Sequence, residues 1–128
     1  MAKKLALYSG LFLVSIVLGI HFLLEASCTN AELQRITSPD NTIEAVLSTR
    51  ECGATTGTAY FVSLVKPHSK PDKSDHVAVM DDVEKIKVLW LDSNTLSITY
   101  DQARFFDLKK SLKVGDKEVI IQETKNPN

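Results

Sequence analysis

The sequence has few cysteines, few aromatic residues and no excess of either charge. Among its 128 residues, 2 are Cys and 1 is Trp, and the formal net charge is −1. A balanced charge gives no electrostatic basis for binding nucleic acid, so we expect no nucleic-acid partner. A chain of this length supports one domain rather than two.

Sequence motifs of common catalytic and cofactor sites are also missing. There is no Gly-rich phosphate loop followed by Lys and Ser or Thr, no Gly-x-Ser-x-Gly and no paired-Cys zinc pattern. We therefore assign no catalytic residue, no metal ligand and no cofactor from the sequence. These absences favour a protein that is not an enzyme.

One long apolar run stands at the N-terminus. Residues 5–24 contain no Asp, Glu, Lys or Arg, and as a helix they would span about 30 Å, the thickness of a bilayer core. Lys3 and Lys4 precede the run, which keeps the N-terminus in the cytoplasm under the positive-inside rule. We predict that residues 1–24 form a transmembrane signal anchor and that the remainder lies outside the cytoplasm.

Two other fates of this segment stay open. It is a candidate for a cleaved signal peptide, although the apolar region of such a peptide is typically about 7–15 residues long. It is also a candidate lipoprotein leader in which Cys28 carries the lipid, because Ala26 and Ser27 are small. Glu25 stands three positions before Cys28 and fits the apolar groove of a membrane peptidase poorly. The length of the run favours the anchor.

Beyond the apolar run we predict a short stalk over residues 25–36 and an extracytoplasmic β domain over residues 37–128. Residues 25–128 carry 13 basic and 16 acidic side chains. This mildly acidic balance predicts no overall attraction to an anionic surface.

The apolar residues of the predicted domain recur with the period of two that is typical of β-strands. Turn residues separate the runs, and Asp92-Ser93-Asn94 joins two of them as a hairpin. The pattern predicts an all-β fold after the transmembrane helix, a small antiparallel meander or sandwich of about six or seven strands. We expect Trp90 at its centre. The predicted strands cover residues 43–48, 60–65, 76–80, 86–90, 96–100, 103–109 and 119–121.

Three segments carry a resemblance to other proteins. They are Ser38-Pro39-Asp40, the run from Arg50 to Thr56, and the run from Trp90 to Tyr100. The chain resembles a group of small uncharacterised bacterial exported or membrane-anchored proteins over roughly residues 37–106, and the Cys-Gly-Ala-Thr-Thr segment is the most specific part of the resemblance. The resemblance implies a location in the bacterial cell envelope and assigns no functional residue.

The segment Cys52-Gly53-Ala54-Thr55-Thr56 is a candidate functional turn. In one interpretation Cys52 is a thiolate nucleophile, and backbone N–H groups of the small residues form an oxyanion site. Such a nucleophile needs a base, and only His68 and His76 lie outside the apolar run. Nothing in the sequence places either histidine near Cys52. The simpler interpretation is a strand end and hairpin turn in which Cys52 is a small buried residue.

Cys52 is also a candidate disulfide partner of Cys28, the other cysteine. Outside the cytoplasm two cysteines can be oxidised. The bridge would pin the predicted stalk to the β domain and contribute about 3 kcal/mol by the loop-entropy relation. It requires that Cys28 be neither lipidated nor removed.

A polar loop offers a weaker alternative. N and O donors of the kind that hold divalent metals lie within residues 68–82, namely His68, Asp72, Asp75, His76, Asp81 and Asp82. Their spacing matches no recognised metal site, and neighbouring lysines oppose a cation. A solvated loop is the better interpretation.

These features predict a membrane-anchored bacterial envelope protein. Residues 5–24 would hold it in the inner membrane by a single pass, with the C-terminal domain on the periplasmic or extracytoplasmic side. We expect a binding or interaction module for a protein partner that the sequence does not identify. The alternatives are a small enzyme that uses Cys52 or a metal held by the 68–82 loop, and an accessory subunit of a membrane complex.

Overall fold

The N-terminal apolar run folds as a single helix, α1 (Ala2–Glu25), in a computed structural model that describes residues 2–25, 28–53 and 57–127. No part of its apolar stretch, Ala2–Leu23, is buried against the rest of the chain. In length and composition α1 is a candidate membrane span or signal sequence.

Nine strands in the described residues follow α1, and a one-turn 3-10 helix (Lys73–Asp75) precedes the fourth of them. The strands are β1 (Thr29–Thr37), β2 (Glu44–Glu51), β3 (Ala59–Val65), β4 (His76–Glu84), β5 (Lys87–Asp92), β6 (Thr95–Tyr100), β7 (Gln102–Leu108), β8 (Ser111–Val114) and β9 (Lys117–Lys125).

The strands form two sheets. The first sheet has five strands in the order β1-β2-β3-β4-β7, and the second has four in the order β5-β6-β9-β8. Neighbouring strands are antiparallel except for β6 and β9, which are parallel. The short turns in the sequence predict antiparallel pairing of consecutive strands.

One aliphatic core lies between the sheets. The first sheet contributes residues such as Leu64 and Met80, and the second contributes Leu96 and Ile98, all with 0% of their surface exposed. Because side chains alternate along a strand, β2 directs Ala45 and Leu47 into this core and Glu44, Val46, Ser48 and Arg50 to the opposite face. We call that opposite face of the first sheet the outer face.

The predicted all-β fold after an N-terminal apolar helix is confirmed. The strand number was underestimated, because β1 and β8 were not predicted. The stalk predicted over residues 25–36 is wrong from Thr29 onward, since those residues pair with β2 as the edge strand of the first sheet.

Trp90 does not lie at the centre of the core. It is half-buried at the margin, where its indole Nε1 donates to the carbonyl oxygen of Ile36 at 3.0 Å. This bond joins β5 of the second sheet to β1 of the first. A buried indole N–H requires an acceptor, which the aliphatic centre lacks.

Candidate functional site

A disulfide closes one end of the first sheet. Cys28 immediately precedes β1, and Cys52 immediately follows β2. Thr29 is the register partner of Glu51, so the antiparallel pairing brings the two cysteines together, and the structure joins them in a disulfide. In this state the Cys28 sulfur carries no lipid and the Cys52 sulfur is no thiolate nucleophile.

The disulfide end of the sheet is close to the end of α1. Only residues 26 and 27 separate Glu25 from Cys28, and three Cα–Cα steps span at most roughly 11 Å. The first sheet therefore cannot move far from the helix, whatever path those residues take.

The candidate turn after Cys52 is only partly described. Gly53 is exposed and has a φ of 114°, a conformation that favours glycine. Ala54, Thr55 and Thr56 lie outside the described residues. Neither histidine reaches Cys52. His76 pairs with Ser63, which pairs with Val46, six residues or about 20 Å from Cys52 along β2.

The loop between β3 and β4 is tied to the outer face by Glu44 and Arg35. The Glu44 side chain is 5% exposed, and its carboxylate accepts from Arg35 Nη1 at 2.6 Å and from the His68 backbone N–H at 3.2 Å. Arg35 also donates to the Ser69 carbonyl at 3.0 Å and to Glu32 at 2.9 Å. The Arg35 hydrogen bond lowers the pKa of Glu44. This network holds the loop in place.

A second contact on the outer face fixes His76. Its Nδ1 lies 2.7 Å from Ser63 Oγ, and its ring centroid lies 4.7 Å from that of Phe61. Burial lowers the pKa of His76. Because Ser63 has 0% exposure, its hydroxyl orients the imidazole and is not accessible to a substrate.

An open cleft of about 810 Å³ lies on the outer face between β1, β2 and the loop. Val46, Ser48 and Arg50 form its floor along β2, with Phe61 beside them. Its lining residues are Asn30, Ala31, Glu32, Val46, Ser48, Thr49, Arg50, Phe61, Lys70, Pro71, Lys73 and His76. The sequence analysis missed this site. The alternation of Glu44, Val46, Ser48 and Arg50 was the only available signal.

Residues 76–82 are not part of a loop, because β4 begins at His76, and Asp81 on β4 accepts from Arg104 Nε at 2.8 Å. Two other acidic residues of the segment, Asp72 and Asp75, cap the 3-10 helix. Asp72 Oδ1 accepts from the Lys73 N–H at 2.6 Å, and Asp75 Oδ2 accepts from the Asp72 N–H at 2.8 Å. Among the described residues, no group of three or more His, Cys, Asp or Glu side chains is placed to hold a metal. The structure therefore provides no ligand set for the metal alternative within residues 68–82.

No protein-family model, curated protein or solved structure matches this chain.

Proposed function

We propose that α1 anchors this protein in the bacterial inner membrane and that the β domain acts outside the cytoplasm as a binding module. The observation that carries this proposal is α1, an apolar helix with no buried stretch that ends two residues before a disulfide-bonded domain. Soluble domains rarely leave so large an apolar surface uncovered, and a bilayer would cover it.

The orientation of the domain is inferred from charge and redox chemistry. Lys3 and Lys4 precede the apolar run, which favours a cytoplasmic N-terminus. The Cys28–Cys52 disulfide fits an oxidising compartment such as the periplasm. Both features favour a domain on the extracytoplasmic side.

Membrane topology is tested with the full chain carrying a C-terminal tag in a Gram-negative host. We expect the protein to resist alkaline extraction from membranes, to keep residues 5–24 in its intact mass, and to lose its tag when protease is added to spheroplasts. Loss of residues 1–24 from the mature mass would refute the anchor. A tag that is protected until the inner membrane is lysed would refute the orientation.

The binding role is supported by the cleft, which is large enough for a small-molecule or short-chain ligand. A photo-crosslinking residue placed at Ser48 on the cleft floor should capture a partner in cells. The same residue at exposed Lys87 on the second sheet serves as the control. Capture only from Val14 in α1 would instead support the accessory-subunit alternative, because that position faces the membrane.

A further inference from the structure

We propose that the outer-face cleft binds an elongated phosphorylated ligand. The proposal rests on the binding role proposed above and names the chemistry of the ligand. Its basis is the combination of three cationic side chains, two aromatic side chains between them and the shape of the cleft.

The cleft is locally basic although the domain is acidic overall. Arg50, Lys70 and Lys73 line it, and among the described residues none of their side-chain nitrogens forms an ion pair with a carboxylate within 4.0 Å. Among the described lining residues Glu32 alone is acidic, and it is held by Arg35. The three side-chain cations are therefore free of ion pairs within the described residues, which favours an anionic occupant.

The cations stand at both ends of the cleft. Arg50 lies toward the disulfide, and Val46 lies four residues away, about 14 Å along β2. The loop that carries Lys70 and Lys73 is tied at Ser69 to Arg35, the register partner of Val46. An occupant that meets both groups of cations must therefore extend along β2.

The middle of the cleft is aromatic. Phe61 is the register partner of Ser48, halfway between Val46 and Arg50, and it packs against His76. A ring or an apolar segment of the ligand would lie over these two side chains. The Ser63 contact fixes the His76 ring through Nδ1 where that ring lines the cleft.

Phosphoryl groups fit this arrangement better than single carboxylates. A phosphate monoester carries close to two negative charges and three strong acceptor oxygens. It can accept from the planar guanidinium of Arg50 and from the ammonium groups of Lys70 and Lys73. Because the disulfide end lies near the end of α1, the source of the phosphoryl group is either a lipid headgroup or a soluble phosphate ester.

The test for a soluble source uses the full chain in neutral detergent micelles, titrated with tripolyphosphate. Arg50→Gln/Lys70→Gln/Lys73→Gln removes the cleft cations, and Lys87→Gln/Lys110→Gln/Lys125→Gln makes the same charge change elsewhere. We expect the Kd to rise at least about tenfold in the first variant, the equivalent of one charge-assisted hydrogen bond. The control variant should bind as the wild type does.

The test for a lipid source places the same three proteins in nanodiscs of phosphatidylcholine, with or without phosphatidylglycerol. Hydrogen exchange is then measured over residues 46–50 and 70–76. Protection that requires phosphatidylglycerol and disappears only in the cleft variant identifies a headgroup as the ligand. Tripolyphosphate binding without this protection identifies a soluble ester.

Two results would overturn the proposal. One is the absence of both tripolyphosphate binding and lipid-dependent protection in the wild type. The other is an equal loss in the two triple variants, which would mean nonspecific attraction. The micelle titration does not depend on membrane orientation. Its failure would therefore not contradict the proposed topology, and evidence against that topology would not affect the titration.

Discussion

The two faces of the first sheet bury different kinds of side chain. The inner face packs aliphatic residues such as Leu64 and Met80 against the second sheet. The outer face buries the aliphatic Val46 together with the polar Glu44 and Ser63, each of which has a hydrogen-bond partner, beneath a loop and beside an open cleft. Burial of apolar surface supplies most folding free energy. The inner face should therefore determine stability, whereas the outer face determines the position of the loop and cleft.

The largest effect is expected on the inner face, at Leu64→Ala. Leu64 has 0% exposure and belongs to the shared core. Removal of its buried methyl groups leaves a cavity, so the free energy of unfolding should fall by about 2–5 kcal/mol. Urea unfolding of the full chain in micelles measures it. Exposed Leu33 on β1 provides the control, and an equal loss from Leu33→Ala would contradict the assignment of the core.

The disulfide should have the next largest effect, because β1 is an exposed edge strand whose only neighbour in its sheet among the described strands is β2. Seven of its nine residues, Thr29 to Gln34 and Thr37, are exposed. Cys28→Ser/Cys52→Ser removes a crosslink across a sequence separation of 24, which corresponds to about 3 kcal/mol of lost stability. Hydrogen exchange of β1 amides should rise more than that of β6 amides. An equal rise in exchange in the two strands would show that the disulfide does not stabilise β1 in particular.

The pH dependence of the free energy of unfolding tests how much Glu44 on the outer face contributes to stability. Its pKa is lowered from the ordinary 4.5, chiefly by the hydrogen bond from Arg35. A carboxyl group with a lowered folded-state pKa contributes stability above its ordinary pKa, and that stability disappears as the pH falls. The wild type should therefore lose its stability advantage over Glu44→Gln as the pH falls below 4.5 and through the lower pKa of the folded state.

A matched variant isolates the effect of Glu44. Glu84→Gln removes the same charge from an exposed position on β4 and should track the wild type across the whole pH range. At neutral pH, Glu44→Gln should also speed hydrogen exchange at His68 and Ser69. Unchanged exchange there would mean that the loop is held by other contacts.

The sequence predicted the strands that present one face to the aliphatic core. Seven predicted segments correspond to β2 through β7 and to β9. Most of them show alternating apolar and polar residues, whereas the segment 76–80 is a short apolar run. β1 was missed because its side chains face solvent or the polar network, which leaves no alternation. β8 has four residues, too few to show a period.

The outer-face site was beyond sequence reasoning for a different reason. The Arg35–Ser69 bond joins residues separated by 34 positions, and the cleft depends on where the loop folds back. No local sequence pattern predicts the Arg35–Ser69 bond or the path of the loop. The cysteines could be named as a candidate pair from their number alone, but only the β1–β2 register explains why they meet.

The smallest effect is expected at Trp90, where β5 of the second sheet meets β1 of the first. Trp90→Phe keeps most of the packing and removes the Nε1 bond to the Ile36 carbonyl. One such hydrogen bond is worth about 0.5–1.5 kcal/mol, so the unfolding midpoint should shift slightly. The matched variant Tyr60→Phe removes a polar atom from another residue that packs against the core. If the Ile36 bond matters, Trp90→Phe should speed exchange near Ile36 and Tyr60→Phe should not. The same change in both variants would mean that the bond does not hold β1 to the second sheet.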